Sequence, residues 1–339
     1  MTALAWLWVV VPVGLALPTA PSSSPEDAEI WPGPQWEHWL DTDGNRIHAH
    51  GGGILEDGGM FYWVGTTEKQ HESKWLSEGI NLYSSDDLQH WKFEAEIFHN
   101  TSIQMPTPGP YRIERPKIIY NRNTSTYVLW FHLDDASFSL RSVGVATSPV
   151  LVGQFAFQAG FQPDGLESLD MSVFKDEDDK AYLVRSVANE YAGISQLTDD
   201  YLNTTGIISK GPRIEGQAIF KLEGRYYLLG SHLTGWAPNP ASLSVADRSS
   251  LHGAQWLPLG NPSGSNTTFN SQSTFVLPYR HPNGHTLMIF MGDRWASPEV
   301  DDASYIWLPM VAKTEHLGKS DDLVFAWHDH WRIGDYTTA

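Results

Sequence analysis

Five short apolar hairpins recur along this chain, and none is large enough to bury both of its faces alone. The first runs through residues 52–55, the turn Glu56-Asp57-Gly58-Gly59 and residues 61–64. Its counterparts pair residues 117–120 with 127–130, 172–174 with 181–184, 218–220 with 226–229, and 275–277 with 287–290. Period-two apolar runs split by Gly, Asn and Asp read as strands and tight turns. Residues 80–84, 143–146, 243–246 and 305–308 add a third strand to four of the units. The anchors Tyr62, Tyr127, Tyr182, Tyr227 and Leu287 lie 65, 55, 45 and 60 residues apart, which is the size of a propeller blade. Sheets of this size cover their faces by stacking around an axis. The expectation is an all-β, five-bladed β-propeller over residues 40–339. A two-sheet sandwich with long loops is the competing arrangement. No stretch has the 3.6-residue period and caps of a long helix, which argues against an α/β barrel.

Each unit opens on a polar side chain at a similar distance ahead of its anchor: His50, Glu114, Asp170, Glu215 and Gln272. Radial packing of the units therefore brings these five to the same end of one central channel.

The flanking sequence and composition describe a secretory chain. Residues 1–20 are uncharged and apolar, and residues 1–17 read as a signal peptide lacking the usual basic start. A membrane anchor fits less well, because Pro12 and Pro18 break a short run. Residues 18–39 form a leader, with Pro and Ser over 18–28 pointing to disorder. Asn100, Asn123, Asn203 and Asn266 begin Asn-X-Ser/Thr sequons, candidate glycosylation sites on surface loops. There is no cysteine, so neither disulfides nor thiol chemistry operate. A net charge of −18 without a basic run argues against nucleic acid and anionic membranes as partners. The runs Asp176-Glu177-Asp178-Asp179 and Asp301-Asp302 lack the spacing of a calcium loop and read as solvated turns. His48 and His50 have no third ligand at zinc spacing, so no metal and no cofactor are assigned.

From about residue 40 to 335 the chain resembles glycoside hydrolase family 43, and within it the exo-β-1,3-galactanases. The segments that carry the likeness are residues 43–53, Glu114-Arg115-Pro116-Lys117, Asp170-Met171-Ser172-Val173-Phe174, Glu215-Gly216, residues 234–239 and Ser271-Gln272-Ser273-Thr274. The resemblance implies a five-bladed propeller, matching the count from spacing. It also implies an inverting enzyme, with an acid and a base on opposite faces of the sugar.

On that resemblance Glu215 is the general acid and Asp170 the carboxylate that keeps it protonated. The aspartate that serves as base in most of the family is missing from Ala49-His50-Gly51-Gly52-Gly53, a loss shared with the galactanase branch. Gln272 then positions the attacking water and Glu114 binds a sugar hydroxyl; the competing assignment makes Glu114 the base. Phe138, where the branch usually has Tyr, stacks on the apolar face of galactose. Asn189, Thr234, Trp236 and Asn239 line the substrate, with Trp236 alternatively a core residue.

The implied substrate is the β-1,3-galactan main chain of arabinogalactan, cut by an extracellular monomer. The sequence ends soon after the fifth unit without a carbohydrate-binding module, so weaker action on long insoluble galactan is expected. Other family 43 specificities, arabinofuranosidase or xylosidase, and a sugar-binding propeller without catalysis are the alternatives.

Overall fold

The computed structural model describes residues 24–30, 38–68, 77–295, 304–312 and 323–337. Five four-stranded antiparallel meanders follow one another. The first blade comprises His50–Asp57, Met60–Glu68, Ser77–Ser85 and Lys92–His99, and the second Tyr111–Asn121, Thr126–Asp135, Ser142–Ser148 and Ala156–Phe161. The third comprises Met171–Lys175, Ala181–Val187, Tyr191–Leu197 and Thr204–Lys210, and the fourth Glu215–Leu222, Arg225–Ser231, Ala241–Ala246 and Trp256–Gly260. Gln272–Arg280, Thr286–Arg294, Ser304–Ala312 and Leu323–Phe325 form the fifth. The first strands of successive blades touch, and the fifth touches the first, so the ring closes around an axis lined by first strands. The molecule is the expected five-bladed propeller. Among the described residues no helix is long and apolar enough to cross a membrane.

The core is divided among the five seams between blades. Alternation along a strand sends neighbouring side chains into different seams. Val128 and Trp130 pack against Met171, Val173 and Leu183 of blade three, whereas Leu129 and Phe131 pack against Val64, Ile80 and Leu82 of blade one. This is why the inner strands read as continuous apolar runs. Each such side chain stabilises the fold by about 1.5–3 kcal/mol on burial.

The seam that closes the ring, between blades five and one, carries the heaviest aromatic load. Trp63 meets Tyr305, Trp307 and Trp91 edge-on, at 4.7, 5.0 and 5.4 Å between ring centroids. Residues assigned above to a leader take part. Glu29–Ile30 pairs with Trp331–Arg332, Ala28 and Ile30 are buried in this cluster, and Glu26 Oε1 lies 2.8 Å from His281 Nδ1. The ordered body thus begins before residue 40, because the closing seam needs apolar cover that neither blade supplies. The predicted signal peptide, residues 18–23 and residues 31–37 lie outside the described residues.

Candidate active site

Three of the five predicted residues begin an inner strand, Asp170 immediately precedes one, and Glu114 lies within one. A β-bulge follows at once after His50, Glu114 and Glu215, and one residue later, after Ser273, in blade five. Bulges bend a strand and re-aim the side chain beside them. The next residue is left-handed in three blades: Gly51 (φ 63°), Arg115 (φ 56°) and Gly216 (φ 60°). Glycine suits that conformation. A Cβ on Gly216 would also stand 2.8 Å from the Ser273 carbonyl oxygen.

Glu114, Asp170, Glu215 and Gln272 open onto one pocket of about 430 Å³, which Phe138, Asn189, Trp236 and Trp295 also line. That volume is in the range of small-ligand sites. His50 does not join them. It is wholly buried, stacked on Tyr305 at 5.0 Å, with its pKa lowered by burial. In its place the backbone of Gly51 reaches the pocket, gripped from behind by two buried groups. Its N–H donates to Asp293 Oδ2 at 2.5 Å and its carbonyl accepts from Lys117 Nζ at 2.8 Å. Burial raises Asp293 to about 7 against the Gly51 hydrogen bond and the charges of Arg115 and Lys117.

Glu215 is held as an acid. Burial first, then the negative charge of Asp170, pushes its pKa up to about 8, with Arg115 and a hydrogen bond from Gln272 opposing. Asp170 Oδ2 accepts the Gly216 N–H at 2.8 Å and lies 2.9 Å from Arg115 Nη2, so the carboxylate is pinned beside the acid's own backbone.

Glu114 is held in the opposite state. Burial alone would raise its pKa, but the hydrogen bond and charge of His132, together with Arg112, outweigh it and hold Glu114 at about 2. Arg112 Nη1 donates to Oε1 at 3.0 Å, and His132 Nδ1 faces Oε2 at 3.2 Å. His132 Nε2 faces the buried Asp134 Oδ2 at 3.1 Å. Burial would lower His132, yet hydrogen bonds to Asp134 and Glu114 lift it to about 9. Glu114, His132 and Asp170 offer ligand atoms within 4.8 Å of one another. Without an ion, His132 shares its ring nitrogens between Glu114 and Asp134.

Gln272 has every hydrogen-bonding position filled. Nε2 donates to Glu215 Oε1 (3.1 Å) and Ser231 Oγ (3.0 Å), while Oε1 accepts from Arg115 Nη2 (2.5 Å) and Trp295 Nε1 (3.0 Å). As seated, the amide oxygen has no lone pair left for a water.

Phe138, 36% exposed, carries the Arg112 guanidinium 4.3 Å from its ring centroid and lies nearly parallel to His132. Trp236 is 40% exposed and meets Trp295 edge-on at 5.5 Å, so it is not a core residue. Asn189 reaches the pocket with φ 59° and its Oδ1 accepts from Ser186. Thr234 and Asn239 do not line this pocket. Asn239 Nδ2 donates to the His232 carbonyl (2.7 Å) and to Thr234 Oγ1 (2.6 Å), and Thr234 donates to the Ala237 carbonyl (2.5 Å). Their polar groups brace the loop that presents Trp236.

Sequence reasoning passed over Arg115, His132, Trp295 and Asp293 as site residues. His132 and Asp293 sit on second strands, opposite Glu114 and Gln272. Only the register of the folded hairpin joins them to the site.

The fold and this geometry agree with comparisons to known proteins. Residues 50–285 match the model of glycosyl hydrolases family 43. A variant of the exo-β-1,3-galactanase of Phanerochaete chrysosporium, solved with β-1,3-galactotriose, is 33% identical with a TM-score of 0.78, covering 90% of this chain and 68% of that one. The exo-β-1,3-galactanase of Clostridium thermocellum is 33% identical with a TM-score of 0.77, over 90% of this chain and 66% of that one. A family 43 β-1,3-galactosidase with galactodeoxynojirimycin is 32% identical with a TM-score of 0.77, over 88% and 99%. No protein of curated function matches the sequence. With its five blades, its paired carboxyls and more than half its length matched, the chain is a glycoside hydrolase and belongs to family 43.

Proposed function

We propose that this hydrolase is a secreted, inverting exo-β-1,3-galactanase that releases galactose from the end of the β-1,3-galactan main chain of arabinogalactan. The observation that carries the reading is the opposed ionisation of neighbouring carboxyls: Glu215 raised to about 8 and Glu114 held at about 2 in one pocket. Glu215 protonates the departing oxygen. Asp170 keeps it protonated and fixed. A carboxylate as acidic as Glu114 is a weak proton acceptor and a strong hydrogen-bond acceptor, which favours its binding a sugar hydroxyl over its being the base. Gln272 positions the attacking water, for which one donor to Oε1 must give way, and the water's proton passes to solvent as its oxygen bonds the anomeric carbon. Trp295 is the looser of the two, since Arg115 is tied to three groups. Phe138 and Trp236 offer rings to the C–H faces of successive sugars.

Proton NMR of products from β-1,3-galactobiose and de-branched arabinogalactan tests this, with Glu215→Gln and Gln272→Ala beside the wild type. α-Galactose appearing first, and lost in Glu215→Gln, is the expected result. The missing blade-one carboxylate favours a second reading, a sugar-binding propeller without catalysis; binding of galactobiose with no turnover would establish it.

The secretory reading rests on residues 1–17 and on the sequons. Asn123, Asn203 and Asn266 are exposed, whereas Asn100 is half-buried with Nδ2 donating to the Ser77 carbonyl at 3.3 Å. Mass spectrometry of protein from a secretory host should find glycans at the first three.

A further inference from the structure

We infer that Arg115 is a positioning residue that fixes the orientation of the Gln272 amide and, through Gln272 and Asp170, the setting of Glu215. The inference rests on the reading of Glu215 as the acid and adds a residue to it.

Its first support is backbone strain. Gly51, Arg115 and Gly216 occupy the same place, one residue after the site residue at a bulge, with φ of 63°, 56° and 60°. Blades one and four use glycine there. A side chain in this region costs about 1 kcal/mol or more and persists where its surroundings demand it. Pocket-facing Arg115 is 6% exposed, and its side chain spans the channel. Nη2 lies 2.9 Å from Asp170 Oδ2 on blade three and donates to Gln272 Oε1 on blade five at 2.5 Å, while Nη1 donates to the Ser273 carbonyl at 3.0 Å.

Two consequences follow from that reach. An amide is nearly symmetric in shape, so neighbours decide which end is oxygen. A guanidinium has only donors, so the end facing Arg115 is the oxygen and the NH₂ end faces Glu215. The charges around the guanidinium are Asp170, Asp293, Glu114 and Glu215, with Lys117, lowered by burial and then by Arg115, as the like charge. Those that set Glu215 are Asp170, which favours its protonated form, and Arg115, which opposes it. Arg115 thus keeps the acid from becoming too weak to give up its proton.

Arg115→Gly tests this, because glycine is the residue the same bulge carries in blades one and four. The variant should fold, checked by thermal unfolding, and lose about 100-fold in kcat on β-1,3-galactobiose with KM within about threefold. The alkaline limb of its pH–rate profile should move up by about one pH unit. Millimolar guanidinium chloride should restore part of kcat and return the limb toward its wild-type place. Arg115→Lys should hold the limb in place while kcat falls, since it keeps the charge and loses the planar fork. Carbon-13 NMR of labelled glutamate, with Glu215 identified by its absence in Glu215→Gln, reads the same upward shift without turnover. An unmoved Glu215 titration in Arg115→Gly overturns the inference, as does wild-type kcat in Arg115→Lys. An inactive wild type in which that titration still shifts overturns the galactanase reading and leaves this one standing.

Discussion

Gln272 Nε2 donates to Glu215 Oε1 at 3.1 Å, joining blade five to blade four across the pocket floor. Because that oxygen already accepts a hydrogen bond, the proton of neutral Glu215 resides on Oε2, the oxygen left to face a leaving group. Acid and amide are thus one unit, built from the first residues of two neighbouring inner strands.

Glu215→Gln should lower kcat on β-1,3-galactobiose by about 1,000-fold and leave KM within a few-fold. Steady-state kinetics on short oligosaccharides measures both. A large change in KM with kcat retained would move Glu215 from the chemistry to binding.

The pH–rate profile should lose activity as pH rises through about 8, because Glu215 must be protonated to act and its pKa is raised to that value by burial and Asp170. Glu114, held at about 2, stays ionised at working pH and sets no limb above pH 4. Glu114→Gln should therefore leave the shape of the profile above pH 5 unchanged and raise KM by about 10-fold.

His132 lies between Glu114 and Asp134, and its removal takes away the cation the two carboxylates share, leaving Asp134 buried with backbone N–H partners alone. His132→Gln should destabilise the protein by about 3–5 kcal/mol near pH 5.5. Glu114 is depressed from 4.5 to about 2, so its stabilisation is present above 4.5 and lost as pH falls toward 2. His132 is raised from 6.5 to about 9, so its share is full below 6.5 and lost as pH rises through 9. Urea unfolding across pH should show the gap between wild type and variant widest from pH 4.5 to 6.5; a constant gap would place the effect in packing instead.

Gly216→Ala should cost about 2–3 kcal/mol and at least tenfold in kcat, since it puts a Cβ against the Ser273 carbonyl at a left-handed position beside the acid. Gly284, whose left-handed turn has open space around it, is the control. Gly284→Ala should lower Tm with no effect on kcat.

Deleting residues 1–30 should lower Tm by about 5 °C or more, because Ala28, Ile30 and the Glu26–His281 contact belong to the closing seam. An unchanged Tm would return these residues to the leader.

The blades were legible in the sequence because they depend on local information. Alternation, turn residues and the anchors Tyr62, Tyr127, Tyr182, Tyr227 and Leu287 report strands and hairpins within one unit, and units of that size must stack. Similar offsets likewise brought Glu114, Asp170, Glu215 and Gln272 to one end of the axis, where the pocket is. What the sequence could not determine were relationships between blades. His50 has the same offset, yet its ring turns into the closing seam against Tyr305, leaving a glycine peptide at its place in the pocket. Thr234 and Asn239 sit on the substrate-side loop but spend their polar groups on each other. Residues 24–30 read as part of a leader, disordered up to residue 28, until the strand about 300 residues later that pairs with Glu29–Ile30 is in place. The ionisation of Glu114 and Glu215, two glutamates alike in sequence, is decided by His132 and Arg112 outweighing burial for one and by burial and then Asp170 for the other. Charge and hydrogen bonding act through space over a few ångströms, and only the closed ring sets which residues lie within that distance.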